Sequence, residues 1–381
     1  MEIKALNLFF TGTSRKYPQV EISAPTEVWE VLKNLGRTED VKFSPSNRKL
    51  AVTGFRKNKI LVFDVEISAS TSSKKVALTD FIEIASSSLY EPHGIFFIDE
   101  NTLVVANRLA NTSIFNLPES GSVDRNLVLT AVHTIAGDEI LRLQSPGSVS
   151  VSQIGQGLHE VLICNNYKNC VTRHILETGD KYVVRSNEIL LSKGLSTPDG
   201  VAFNKSGRWI AISNHDTQSV FLYENTPRLN KHSEPSGILY KVNYPHGVRF
   251  TPDDNFVIVA DAGSPYINIY AKDGDSWSGA RDPVTTLRVL DETSYRRGRI
   301  IPQEGGTKGI DVDNDMNILV TTSEYQTLAF FDLQKILNRR VIPLDWHKQT
   351  VLWLMDRYIL WRVDRIKGKL RRHLKRKKNN K

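Results

Sequence analysis

Short runs in which apolar and polar residues alternate recur in a fixed order along most of the chain. Each copy opens on a turn ending near Gly and continues as an alternating strand. It then crosses a polar turn into a second strand that ends at Asn, Asp or Thr, and closes with a third. Pro92-His-Gly-Ile-Phe-Phe, Thr102-Leu-Val-Val-Ala-Asn107 and Ser113-Ile-Phe-Asn-Leu117 form one copy. Pro198-Asp-Gly-Val-Ala-Phe, Trp209-Ile-Ala-Ile-Ser-Asn214 and Ser219-Val-Phe-Leu-Tyr223 form another. Pro245-His-Gly-Val-Arg-Phe, Phe256-Val-Ile-Val-Ala-Asp261 and Ile267-Asn-Ile-Tyr270 form a third. Weaker copies begin at Glu39-Asp-Val-Lys-Phe, Pro146-Gly-Ser-Val-Ser and Lys308-Gly-Ile-Asp-Val.

With Asp40, Gly94, Gly147, Gly200, Gly247 and Gly309 as one column, the intervals are 54, 53, 53, 47 and 62 residues. Each interval holds a fourth apolar run, such as Phe81–Ala85, Glu188–Ser192, Gly237–Val242 and Thr286–Leu290. Four short strands per copy, six copies and near-constant spacing predict an all-β six-bladed β-propeller with four-stranded blades. An open sandwich has no reason to repeat a Pro-x-Gly turn at this period. Val28-Trp-Glu-Val-Leu32 stands before the first copy where outer strands stand before the others, so an N-terminal strand is expected to close the ring as the outer strand of blade 6. A seventh blade between Ala271 and Thr307 is not expected, since that stretch holds one good strand. The resulting division is an N-terminal arm (1–24), the propeller (25–344) and a C-terminal tail (345–381).

Composition changes this picture in one place. Of 381 residues, 40% are apolar and 24% charged, which is ordinary for a globular chain. Two cysteines exclude a disulfide framework and a four-thiolate zinc site. No apolar run reaches the length of a spanning helix, and the N-terminus does not read as a secretory signal. The net charge of +8 is concentrated at the end: Asp356–Lys381 carries twelve basic residues against two acids, leaving the rest of the chain at −2. Within the tail, Leu352, Met355, Ile359, Val363, Ile366, Leu370 and Leu374 follow helical spacing. A basic amphipathic helix is expected there. Trp353, Trp361, Arg362, Arg365, Lys367, Lys369, Arg371 and Arg372 would then meet an anionic membrane surface. A helix docked on the propeller with an idle charged end, or a partner-binding helix, would show the same pattern. The expected location is cytoplasmic, peripheral on the inner face of a membrane. Nucleic acid is not the expected partner, because the propeller carries no interleaved aromatic and basic residues.

Candidate chemistry follows from the ring. The residue before each Gly should aim at the central channel, which gives Glu39, His93, Pro146, Asp199, His246 and Lys308. Six-fold closure sets Glu39 opposite Asp199 and His93 opposite His246. Glu39, Asp199, His93 and His246 can hold one divalent ion, and His93 and His246 are the catalytic candidates. Lys308 can bind an anionic ligand or neutralise the two acids. The ends of the second strands, Thr53, Asn107, Asn165, Asn214, Asp261 and Thr322, form a second ring. Its members either line a ligand pocket, with Asn107, Asn165, Asn214 and Asp261 as candidates, or hold local turns. His215 is a further rim candidate. Cys164 and Cys170 should flank a hairpin as free thiols. There is no nucleophile elbow, phosphate-cradling loop, dinucleotide fingerprint or His-Glu-x-x-His motif.

Six blades with Pro-x-Gly turns resemble the superfamily of NHL-repeat proteins, SMP-30-type gluconolactonases and paraoxonase-type arylesterases, over about residues 28–340. Glu39-Asp40 resembles the Glu-Asp pair by which paraoxonase-type enzymes hold calcium. Pro92-His93-Gly94 resembles the motif of their proposed catalytic histidine, and Asp199 resembles a metal-ligand aspartate of the gluconolactonases. Those families have asparagines where this chain has Pro146 and His246. A second imidazole departs from the all-oxygen shell calcium prefers. The resemblance implies a metal-dependent hydrolase of a lactone or ester, with a single Zn, Mn, Fe or Ca ion. The other expectation is a non-catalytic propeller that binds a carbohydrate, small ligand or protein and is held at a membrane by its tail.

Overall fold

A computed structural model describes residues 20–338 except 71–72, 119–123, 138–140 and 142. Six antiparallel sheets follow one another along the chain. Their innermost strands are Thr38–Phe43, Pro92–Phe97, Pro146–Gly155, Pro198–Phe203, Pro245–Phe250 and Thr307–Val312. Each packs beside the next, and the last packs beside the first, so the ring is closed. Apolar side chains on the blade faces fill the space between neighbours. Leu162, Val171, Val201 and Ile212, for example, form one buried cluster between blades 3 and 4.

Every inner strand begins with the same irregularity. Pro92 pairs with Asn107 and Ile95 with Val105, so two residues, His93 and Gly94, face one on the partner strand. The same step occurs at Glu39-Asp40, Gly147-Ser148, Asp199-Gly200, His246-Gly247 and Lys308-Gly309. A bulge of this kind re-aims a side chain and bends the strand. The second bulge residue lies against the neighbouring blade. A Cβ on Gly200 would sit 2.1 Å from the His246 carbonyl, and one on Gly309 2.7 Å from the Asp40 Cα. Glycine is required there because backbone packs directly on backbone.

This register corrects the reading of blade 3. Pro146 pairs with Asn165 as Pro92 pairs with Asn107. The channel position in that blade therefore belongs to Gly147, and Ser148 takes the Gly column. Pro146 is not in the channel ring.

The expected N-terminal strand is also corrected. Thr26–Leu35 is a helix, α1, ended by Gly36 at φ 75°. Val28, Leu32 and Leu35 fall on one helical face and pack among Leu50 and Val52 of blade 1 and Ile318, Val320 and Phe330 of blade 6. Among the described residues blade 6 has three strands, not four. Closure at this seam comes from the α1 wedge, a bond from the Val20 N–H to the Phe330 carbonyl (3.4 Å), and the contact between inner strands. Upstream of α1, Glu21–Ser23 adds in parallel to the outer strand of blade 1. The segment between blades 5 and 6 holds no further blade: Gly279–Arg281 joins blade 4, Thr285–Arg288 completes blade 5, and Glu292–Gly298 forms helix α2. No helix among the described residues is long and apolar enough to cross a membrane. The amphipathic tail, with all its expected membrane-binding residues, lies outside the described residues.

Gly200→Ala is expected to lower the unfolding free energy by at least about 1–3 kcal/mol, because the His246 carbonyl facing it belongs to the backbone. Urea unfolding checks this; an unchanged midpoint would mean that the blades do not pack backbone to backbone here.

Candidate metal centre

The bulges deliver five of the six first residues as functional side chains into one buried chamber. Glu39, His93, Asp199, His246 and Lys308 are all buried. The expected opposition of the two histidines appears as a stack of their rings across the channel, centroids 5.0 Å apart. Glu39 Oε2 lies 3.4 Å from His93 Nε2, 3.3 Å from His246 Nε2 and 3.1 Å from Lys308 Nζ. Asp199 Oδ2 lies 3.2 Å from the same His246 Nε2. One ligand atom from each of Glu39, His93 and His246 falls within 4.8 Å of the others.

Further charged groups join from positions the sequence reading did not single out. Arg37, on the turn before the blade 1 inner strand, bonds Glu39 through Nε and Glu304 through Nη2 (3.1 Å). Arg108 donates to Asp199 Oδ1 at 2.9 Å, and its Nη2 is 3.0 Å from His93 Nε2. Asn166 also donates to Asp199 Oδ1, at 2.9 Å. Lys308 reaches Glu304 at 2.8 Å. Arg108, Asn166 and His215 share one place in the repeat, the first residue after the second strand. That recurrence was readable one position beyond the Asn ring. Gly147 matters by having no side chain: a Cβ there would meet the Asn166 amide at 2.2 Å.

Burial alone would raise the Glu39 carboxyl, but the neighbouring Lys308 and Arg37 cations hold it well below the usual carboxylate range. Burial likewise opposes ionisation of Asp199, and His246 and Arg108 overcome it. Burial and then the Arg108 guanidinium push His93 down to about 4, so its ring is neutral near neutrality. Its Nδ1 sits against the Gly147 carbonyl, which leaves Nε2 as the lone-pair nitrogen facing the chamber. His215 is also lowered by burial; its Nδ1 is 3.3 Å from the Pro245 carbonyl.

The second ring has a different use. The Asn107 carbonyl oxygen accepts from the Tyr90 N–H, that of Asn165 from Gln144, and that of Asn214 from Ser196. Asp261 accepts from the N–H groups of Asn243, Tyr244 and Gly263. These side chains bind the connection from the preceding blade and are engaged with backbone, so the turn-holding role is the one the structure gives them. Thr53 and Thr322 lie one position earlier in register and accept from the N–H groups of Asp40 and Gly309. Asp40 does not join Glu39 in the chamber. Its oxygens are each 3.2 Å from Arg249 Nη2 and take the Ile95 and Val41 N–H groups. Arg249, Asp311 and the partly exposed Lys42 extend this into an ion-pair layer farther along the inner strands. Cys164 and Cys170 are free, buried, and flank the turn between the second and third strands of blade 3.

No family model and no curated protein matches the chain. Among solved structures it is similar to the crystal structure of a functionally unknown protein from Desulfotomaculum acetoxidans DSM 771. That match has a TM-score of 0.51 and 14% identity, covering 78% of this chain and 83% of that one. The likeness concerns the fold.

The unfolded chain takes up a proton on His93 near 6.5, whereas the folded chain resists until about 4. Stability contributed by the neutral ring is therefore complete above 6.5 and is lost as pH falls towards 4, by about 3 kcal/mol at 1.36 kcal/mol per unit. Urea unfolding of metal-free protein across that range is expected to show a flatter pH dependence in His93→Asn than in the unaltered protein. Parallel curves would refute the assignment.

Proposed function

We propose that the funnel is a divalent-metal site and that the protein is a hydrolase acting there on the carbonyl of a lactone or ester. The observation that carries this reading is the convergence of Glu39 Oε2, His93 Nε2 and His246 Nε2. The oxygen is buried and carries no aligned hydrogen bond, its charge being matched by the Lys308 ammonium at 3.1 Å. Its distances of 3.3 and 3.4 Å to the two nitrogens match the roughly 3.3 Å edge of a tetrahedral shell with bonds near 2.0 Å. Two imidazoles and a carboxylate suit Zn, Mn or Fe better than Ca. Bound there, such an ion would supply a Lewis acid for a carbonyl oxygen and for water.

The chain's own residues supply the rest. Asp199 is fixed by Arg108 and Asn166 and in turn orients His246. With an ion held by Glu39, His93 and His246, Asp199, whose Oδ2 lies 3.2 Å from His246 Nε2, would be the carboxylate left beside the site to accept a proton. Arg37, Arg108 and Glu304 are 17%, 18% and 20% exposed, against 7% or less for the groups beneath them. They form the mouth, and the guanidinium N–H groups are the donors an incoming carbonyl or anionic group meets first.

One observation favours a second reading. Glu39, Asp199 and Glu304 are matched by Arg37, Arg108 and Lys308, so the carboxylates of the chamber are already balanced by resident cations. A funnel balanced this way suits a non-catalytic site for a small molecule or carbohydrate. Metal analysis of protein purified without chelator separates the two. About one Zn, Mn or Fe per chain, lost in His246→Ala and Glu39→Gln, is expected; metal-free protein that also fails to take up added Zn²⁺ would leave the binding reading.

In either reading the basic tail anchors the propeller to an anionic membrane on its cytoplasmic face. Removal of residues 346–381 is expected to abolish co-sedimentation with phosphatidylserine vesicles at low salt. Equal sedimentation of the truncated and full chains would rule the anchor out.

A further inference from the structure

Resting on the metal-site reading, the geometry points to a regulatory role for Lys308: its ammonium is a resident cation that competes with the metal for Glu39, and Glu304 is the acceptor that takes Lys308 when the metal binds. Lys308 Nζ stands 3.1 Å from Glu39 Oε2 and 3.4 Å from Oε1. Oε2 is the atom that also faces His93 and His246, so an ion shared with the two imidazoles would take the oxygen Lys308 now neutralises. A buried carboxylate needs a positive partner, and either cation satisfies that need. Both at once would bring an ammonium and a dication to one buried oxygen, where like charges repel strongly.

The structure supplies a second place for the ammonium. Glu304 Oε2 is 2.8 Å from Nζ, closer than either oxygen of Glu39. Glu304 Oε1 bonds Arg37 at 3.1 Å, and Arg37 also bonds Glu39. Glu39 and Glu304 thus share the same two cations. Glu39 lies inside the chamber and Glu304 at its mouth, so both cations can relax outward and each keep a carboxylate partner in Glu304. The backbone supports this: Lys308 is the first residue of its bulge and is fixed by the inner strand, while Glu304 sits on the turn just before that strand.

This arrangement makes opposite demands on two substitutions. In Lys308→Met the competitor is gone, and Zn²⁺ or Co²⁺ is expected to bind about 10–100-fold more tightly than to the unaltered protein. In Glu304→Gln the ammonium has lost its alternative acceptor and stays on Glu39, so binding is expected to weaken by about tenfold or more. Calorimetric titration of the full chain with each metal alone reads both effects, with the visible absorption of bound Co²⁺ reporting whether the shell is unchanged. Thermal unfolding of each variant without metal confirms that it is folded, and Glu304→Gln, at the partly exposed mouth, serves if Lys308→Met does not fold. Affinity that rises in the first variant and falls in the second supports the inference. If the unaltered protein binds metal but Lys308→Met binds no more tightly, or Glu304→Gln no more weakly, the competition is refuted and the metal site stands. If neither the unaltered protein nor either variant binds metal, the site itself is refuted.

Discussion

Backbone lying directly on backbone between neighbouring inner strands is the constraint on which the structure depends. Each inner strand opens with a two-for-one bulge, and in four of the six its second residue is a glycine, Gly94, Gly200, Gly247 or Gly309, because the next blade's main chain occupies the place of a side chain. That contact sets the spacing of the blades around the axis. It also sets the direction of the first bulge residue, which has nowhere to point but the channel. Glu39 and Lys308, 269 positions apart, meet because of this, and so do His93 and His246. Where both roles cannot be filled by side chains, the repeat varies: blade 3 gives up its channel side chain at Gly147, and Asn166 reaches in from the next turn.

Taking charges out of water is unfavourable unless they are paired, and the chamber pairs every one. Glu39 is held by Lys308 and Arg37, Asp199 by Arg108 and Asn166. The carboxylates stay ionised despite burial because the cations outweigh desolvation. His93 shows the other outcome: burial and a neighbouring guanidinium keep it neutral, and a neutral imidazole is the form that offers a lone pair. The channel thus holds anionic oxygens and an unprotonated nitrogen side by side. A divalent ion prefers that combination, yet the protein's own cations already compensate the acids. Affinity for an ion there would depend on how readily those cations move aside as well as on the number of ligands.

The six-fold repeat and the convergence of Glu39, His93, Asp199, His246 and Lys308 were legible in the sequence because the bulge imposes a residue pattern. Pro fixes the start of the strand, Gly allows the close approach, and the residue between them is free to vary with chemistry. Blade 3 was misaligned by one because Pro146-Gly147 looks like the end of that motif, while pairing with Asn165 makes Gly147 its middle. Val28–Leu32 was misassigned because five apolar-rich residues satisfy both periodicities. The deciding signs were Pro25 ahead of it, Gly36 behind it and the continuation to Leu35. Arg37, Arg108, Asn166 and Glu304 carry no motif of their own. They belong to the site through tertiary register, which the sequence states for Arg108 and Asn166 by the recurrence of one position after the second strand, and for Arg37 and Glu304 not at all.

The channel is built in two storeys, and this decides how anything reaches the site. Below the chamber, Lys42, Asp311, Arg249 and Asp40 fill the axis with paired charges, and Asp311 and Asp40 also accept backbone N–H groups. Opening that layer would separate the buried Asp40, Arg249 and Asp311 from one another and from the 17% exposed Lys42. At the mouth, Arg37, Arg108 and Glu304 are 17–20% exposed where they stand. The mouth of the chamber is thus lined by two guanidinium groups and one carboxylate. A cation approaching it meets Glu304 first and an anion meets Arg37 and Arg108, so the groups that balance the chamber's charge also select what enters.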